Sequence, residues 1–142
     1  MVTKPAESSK NQNLRLVPID HGLTIPDSLE VCSFDLVWLS YDQASMPFST
    51  KTLSFIESLD IESDIALLEQ QFDFRPICLR NIKVSTMLLK KAANLGLNLS
   101  DIGSILCRPD EDDSLESHLE KIVRQARRCA GMTRSLLKKA LR

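Results

Sequence analysis

PICLRNIKVSTMLLKKAANLG, residues 76–96, is the stretch that decides the fold class. Pro76 stands where a first helical residue needs no amide proton, and Gly96 where a helix turns away, the positions these two residues favour. Between them Ile82, Val84, Met87, Leu88 and Leu89 put apolar side chains around much of the circumference, so this helix is expected to be the central and most buried one. Working outward, Ser49 can cap a helix through Leu53, Ile56 and Leu59, and Asp60 can cap a second with Ile61, Ile65, Leu68 and Phe72 on one face. Asn98 followed by Asp101 has capping-box spacing for a short helix that Pro109 stops. Asp113 and Glu116 have the same spacing ahead of the last helix, whose apolar stripe runs through Leu115, Leu119, Ile122, Val123, Ala126, Cys129, Ala130, Leu136, Leu137 and Leu141.

Toward the N-terminus the helical pattern stops. Residues 22–48 are irregular and broken by Pro26 and Pro47, which predicts a long loop with one short helix around Phe34, Leu36, Val37, Trp38 and Leu39. Residues 14–19, LRLVPI, are the best strand candidate, although Pro18 lacks the amide that a central strand uses. No pairing partner for it is evident, and an unpaired strand is a template for self-association. Residues 1–13 are too polar to bury much surface and read as a flexible arm.

A chain of 142 residues is the size of one domain. Its 43% hydrophobic content can fill one core, while 5% aromatics and 4 Gly argue against a barrel or sandwich of many short strands. The net charge of −1 provides no global field for nucleic acid or an anionic membrane, so any such attraction must be local, and nucleic acid is not expected as a partner. The 4 Cys lie tens of residues apart with only 2 His, so neither a zinc site nor a disulfide scaffold is indicated; ordinary buried thiols in a reducing compartment are expected. There is no signal-peptide core at the start and no run of about 20 apolar residues, so a cytoplasmic protein, soluble or peripheral at a membrane, is expected.

One residue stands out chemically. Asp20 follows the apolar strand directly and precedes His21 and Gly22, at a sharp exit where a carboxylate can hold Mg²⁺ on phosphates and the glycine lets the backbone turn away. Asp before Gly at a strand end is more commonly a plain turn.

The wider stretch LVPIDHGLTIPDSLE, residues 16–30, resembles the metal-binding segment of phosphatidylinositol 3- and 4-kinases, where I-D-F-G or I-D-H-G replaces the protein-kinase D-F-G. FDLVWLSYDQASMPFS (34–49), SLDIESDIALL (58–68), VSTMLLKKA (84–92) and GLNLSDIGSILCR (96–108) resemble later segments of the phosphatidylinositol 4-kinases, of the gamma class in particular. Collinear segments carry far more weight than one short motif. The resemblance implies a mainly α fold: the helical C-terminal lobe of a protein-kinase-like domain over residues 14–108, with one or two short N-terminal strands and an activation loop over about 20–48. Residues 109–142 would be an acidic linker and a basic amphipathic helix.

By the same resemblance Asp20 would be the catalytic metal ligand, binding ATP phosphates through Mg²⁺. His21 would occupy a variable position, Gly22 would open the activation loop, and Trp38 and Tyr41 on that loop would face phosphatidylinositol at a membrane surface. For Trp38, core anchoring beside Phe34, Val37 and Leu39 is the plainer expectation. The implied activity is ATP-dependent phosphorylation of the inositol 4-hydroxyl.

Phosphoryl transfer also needs a phosphate-covering loop, a phosphate-binding lysine and a catalytic loop with its Asp and Asn. These 142 residues contain none of them. Met1 falls about where the catalytic loop would end, so the chain is expected to be a fragment, a truncated product or a relic, with an upstream kinase lobe as its missing partner and no activity by itself. The alternative is a non-catalytic helical interaction or membrane-binding module descended from such a kinase. Between His118 and Arg142 eight Lys or Arg face one acidic residue, Glu120. That helix is expected to pack its stripe on the body; lying on an anionic membrane or binding a calmodulin-like partner are the competing readings.

Overall fold

The computed structural model describes residues 2–5, 14–17, 24–109 and 114–140. Its local signals are used as the sequence suggests. The Ser49 hydroxyl accepts from the Thr52 amide at 3.1 Å and opens α1 (Thr50–Ser58). The Asp60 carboxylate accepts from the Ser63 amide at 3.2 Å and opens α2 (Ile61–Gln71). Pro76 is the first residue of α3 (Pro76–Asn94). Beyond its end Gly96 takes φ +80°, with its amide on the Ala93 carbonyl and the Leu97 amide on the Ala92 carbonyl, both 3.0 Å, a Schellman closure that satisfies the last carbonyls. Asn98 and Asp101 form the reciprocal capping box of α4 (Leu99–Leu106).

The helix α3 is the hub, packed against α1, α2 and α4, while α4 carries two 3-10 helices, η1 (Ser33–Ser40) and η2 (Asp42–Ser45), and the base of α5 (His118–Ala140). This is a mainly helical body, as expected. The distribution of burial along α3 differs from the expectation. Cys78, Leu79, Asn81, Ala92 and Ala93 are buried, Ile82, Val84, Leu88 and Leu89 are half-buried, and Met87 is exposed. Small side chains at the C-terminal end let neighbouring backbone approach, and polar clamps do part of the docking. Lys90 Nζ donates to the Glu57 and Leu59 carbonyls at 2.7 and 2.8 Å, closing the C-terminal end of α1, and Lys83 pairs with Glu62 of α2.

Two further expectations are corrected. Residues 2–5 are not part of a structureless arm: β1 (Val2–Pro5) pairs antiparallel with β2 (Leu14–Val17), Val2 opposite Val17 and Pro5 opposite Leu14. The strand therefore has its partner in the chain, because a hairpin satisfies backbone groups at low closure cost even where the connecting residues are polar. The last helix is capped by Ser117 and Glu120 in place of Asp113 and Glu116: the Ser117 hydroxyl accepts from the Glu120 amide at 3.2 Å and the Glu120 carboxylate from the Ser117 amide at 2.9 Å. Asp113 lies outside the described residues, and Glu116 instead accepts from Arg124 Nε at 2.9 Å.

Gly103 of α4 explains how η1 is seated. A Cβ there would collide with Leu39 Cδ2 and lie 3.1 Å from Leu39 Cγ, so only glycine admits Leu39 so close to the helix. Gly103→Val should lower stability by about 1–3 kcal/mol through overpacking. Gly131→Ala, where nothing lies within 4 Å, should raise helix stability by about 0.5–1 kcal/mol. Thermal melts of the two variants check this; equal shifts would show that Leu39 is not confined against α4.

Candidate functional site

Asp20, His21 and Gly22 lie outside the described residues. The described loop that follows them is held from Pro26 onward by side chains of the helical body. Asn81, on the buried face of α3 and only 2% exposed, donates from Nδ2 to the Pro26 carbonyl at 3.2 Å. A buried amide must be paired, so this bond fixes both groups. Arg75, at the N-cap of α3, meets the Asp27 carboxylate at 2.6 Å, and this bond holds the guanidinium pKa above its ordinary value. Both partners are largely exposed, so the pair sets geometry more than stability.

Arg108 makes the most extensive clamp. Its amide donates to the Val31 carbonyl at 2.8 Å, and its guanidinium grips Glu120 through Nε at 3.0 Å and Nη2 at 2.7 Å, with Glu30 at 3.3 Å. The Arg108 and Glu120 side chains are 17% and 12% exposed, which separates this pair from an ordinary surface ion pair. The Glu120 pKa is lowered, first by the Arg108 hydrogen bond and then by the Ser117 amide, against the opposing cost of burial. The Arg108 pKa is raised, first by Glu120. One residue thus ties together the loop ahead of η1, the end of α4 and the first turn of α5. A groove of about 260 Å³ runs beside this clasp, walled by Asp27, Glu30, Asn81, Glu120 and Arg124.

Trp38 and Tyr41 are placed by η1 and its C-cap. Trp38 is half-buried, and Tyr41 is 57% exposed. Phe34 and Val37, expected to anchor Trp38 in a compact cluster, are instead 72% and 64% exposed, because η1 is kinked at Leu36 and turns Leu39 onto Gly103. The cysteines also depart from expectation: Cys78 is buried, Cys32 and Cys107 are half-buried, and Cys129 is exposed. The reason for the last is the course of α5, which leaves the body after its first turns.

Among the described residues no group of three or more His, Cys, Asp or Glu side chains is arranged to hold a metal ion. The described part of the chain therefore supplies no metal cage of its own. What it supplies is a clamped loop. Arg75, Asn81, Arg108 and Glu120 were not singled out from the sequence as site residues. An asparagine inside an apolar helical run and an arginine just ahead of a helix-stopping proline were the available signals, but their partners are 55 and 12 residues away.

Residues 1–102 match the family model described as phosphatidylinositol 3- and 4-kinase. The chain is 46% identical over 115 residues to phosphatidylinositol 4-kinase gamma 4 of Oryza sativa subsp. japonica, a match covering 80% of this chain and 20% of the relative. It is 43% identical over 122 residues to phosphatidylinositol 4-kinase gamma 3 of Arabidopsis thaliana, covering 85% and 21%, and 44% identical over 112 residues to gamma 2 of the same organism, covering 78% and 20%. No solved structure matches the chain. The chain thus spans about a fifth of the length of the curated relatives it matches. With the match covering most of its residues, the chain belongs to the phosphatidylinositol 3- and 4-kinase family.

Proposed function

We propose that this chain forms the C-terminal part of a lipid kinase catalytic domain which, together with upstream sequence, transfers the γ-phosphate of ATP to the 4-hydroxyl of phosphatidylinositol. The observation that carries the reading is the family match over residues 1–102, which includes the Ile19-Asp20-His21-Gly22 segment. Asp20 is the one residue to which the family's metal role transfers, as a ligand of the Mg²⁺ that neutralises phosphate charge. The remaining duties of this chain are positional. Asn81, Arg75 and Arg108 hold the loop after Gly22 against the body, so that its further course through η1 and η2 starts from a fixed point. Phe34, Val37, Tyr41 and Met46 are exposed along η1, η2 and their caps, which suits a loop that meets a lipid headgroup layer.

The 142 residues contain no phosphate-covering loop, no matching phosphate lysine and no catalytic Asp and Asn, so the purified chain should show no lipid phosphorylation. A longer protein that includes the upstream part of the domain should convert phosphatidylinositol to its 4-phosphate with ATP and Mg²⁺. Chromatographic separation of the product regioisomers tests the reading. A 3-phosphate product, no lipid product from the longer protein, or turnover by the 142-residue chain free of contaminating kinase would each overturn it.

A further inference from the structure

The helix α5 spans 23 residues, about 35 Å of helix, yet it packs on a partner of only 8 residues, α4. Its base is firmly seated. Leu119 is buried at 5% exposure, Val123 is half-buried, and the Ser117–Glu120 capping box and the Arg108 clasp fix where the helix leaves the body. From Arg124 to Thr133 every described side chain is exposed. The stripe expected to be covered by the helical body is therefore uncovered along most of its described length: Ile122 is 59% exposed, and Ala126, Cys129 and Ala130 beyond it are exposed as well.

Helical geometry sorts α5 into two sides. At 100° per residue Ile122, Ala126, Cys129 and Ala130 share one arc, which the sequence continues with Leu136 and Leu137. Lys121, Arg124, Arg127, Arg128, Lys138 and Lys139 lie on the opposite arc. Between His118 and Arg142 eight Lys or Arg stand against Glu120 alone in a chain whose net charge is −1, so the basic charge is concentrated here against an acidic remainder. Glu120 is itself committed to Arg108, and among the described residues neither Arg127 nor Arg128 has a carboxylate within ion-pair distance. No described helix is long and apolar enough to cross a membrane.

We infer that α5 is a docking element for an anionic lipid surface, lying in the plane of the interface with its apolar arc among the acyl chains and its arginines and lysines at the headgroups. Charge complementarity favours an anionic occupant over a second copy of this chain, which would bring the same eight positive charges against the first, and binding to an acidic protein without binding to anionic vesicles would count against a lipid surface. A polar nucleic-acid backbone would leave the apolar arc unburied. The inference concerns binding only and stands whether or not the chain serves a kinase.

Flotation of the 142-residue chain with vesicles tests it. Vesicles of phosphatidylcholine with about a fifth phosphatidylserine should carry the chain at low salt and release most of it at high salt, since the attraction is screened within a Debye length. Vesicles of phosphatidylcholine should carry little. The double variant Arg127→Glu with Arg128→Glu, at two exposed positions outside the clasp, should weaken partitioning at least about 30-fold, and Ile122→Asp, on the exposed apolar arc, should weaken it as well. Phe55→Asp, at a 65% exposed apolar position on α1 outside both the loop and α5, should leave partitioning largely unchanged. Equal binding to neutral and anionic vesicles, indifference to the Arg127 and Arg128 reversals, an equal loss with Phe55→Asp, or a salt-resistant dimer broken by Ile122→Asp without vesicle binding would overturn it. Circular dichroism that matches the parent chain shows that a variant has folded.

Discussion

Asp20→Asn, in a protein that carries the upstream part of the catalytic domain, is expected to lower kcat by roughly 10³-fold or more while leaving the fold intact. Asparagine keeps the size of the side chain but removes the charge proposed to hold Mg²⁺, and in phosphoryl transfer such a metal neutralises charge that develops in the transition state. KM for phosphatidylinositol should move far less than kcat, because the lost interaction belongs to the reacting phosphate and not to lipid binding. Folding should be unaffected, since the described loop is anchored further along the chain, by Asn81 on Pro26, Arg75 on Asp27 and Arg108 on Val31. His21→Phe, at the family's variable position, should keep most of the activity. Near-normal turnover by Asp20→Asn, with unchanged melting behaviour, would remove Asp20 from the metal site and with it the residue-level basis of the proposed function.

The largest effect on stability should come from Arg108→Met. Methionine preserves much of the side-chain volume but leaves the Glu120 carboxylate, 12% exposed, without its guanidinium, and removes the tie to Glu30. The melting temperature at neutral pH should fall by about 5 °C or more. The pH dependence distinguishes the ion pair from simple packing. The Glu120 pKa is lowered in the folded chain, so the pair's contribution is fully present above the ordinary glutamate value of about 4.3 and is lost as pH falls through the lowered one. The Arg108 pKa is raised, so its side of the pair persists at every pH that leaves the protein intact. The difference in melting temperature between the parent chain and Arg108→Met should therefore be constant from about pH 6 to 8 and shrink toward strong acid. Calorimetry across that range checks it; a difference at pH 3 as large as that at pH 7 would assign the effect to packing instead of charge.

The clasp also links the two functional readings physically. Arg108 joins the loop ahead of η1 to the first turn of α5. Loss of the clasp is expected to loosen both.

How much of this molecule the sequence reveals follows from the range of each interaction. Ser49, Asp60, Pro76, Gly96 and the Asn98–Asp101 box are legible because a cap bonds backbone within about three residues of itself, so the signal and its partner lie in the same short window. Family membership was legible for a related reason: the five quoted segments occur in order along one chain. The sequence places the start of α5 at Asp113 and Glu116, whereas the box is formed by Ser117 and Glu120, and Glu120 is also gripped by Arg108 from the end of another helix, a partner outside the local window. Burial of Asn81, seating of Leu39 against Gly103 and pairing of Val2 with Val17 depend on which distant segments meet, which residue type and periodicity do not encode. The stripe on α5 shows the same division most plainly. Its amphipathic pattern was set by the sequence, but the pattern states only that an apolar face seeks cover; α4, 8 residues long, ends before it can provide that cover, and so only the tertiary structure decided that the face is left open as far as Thr133.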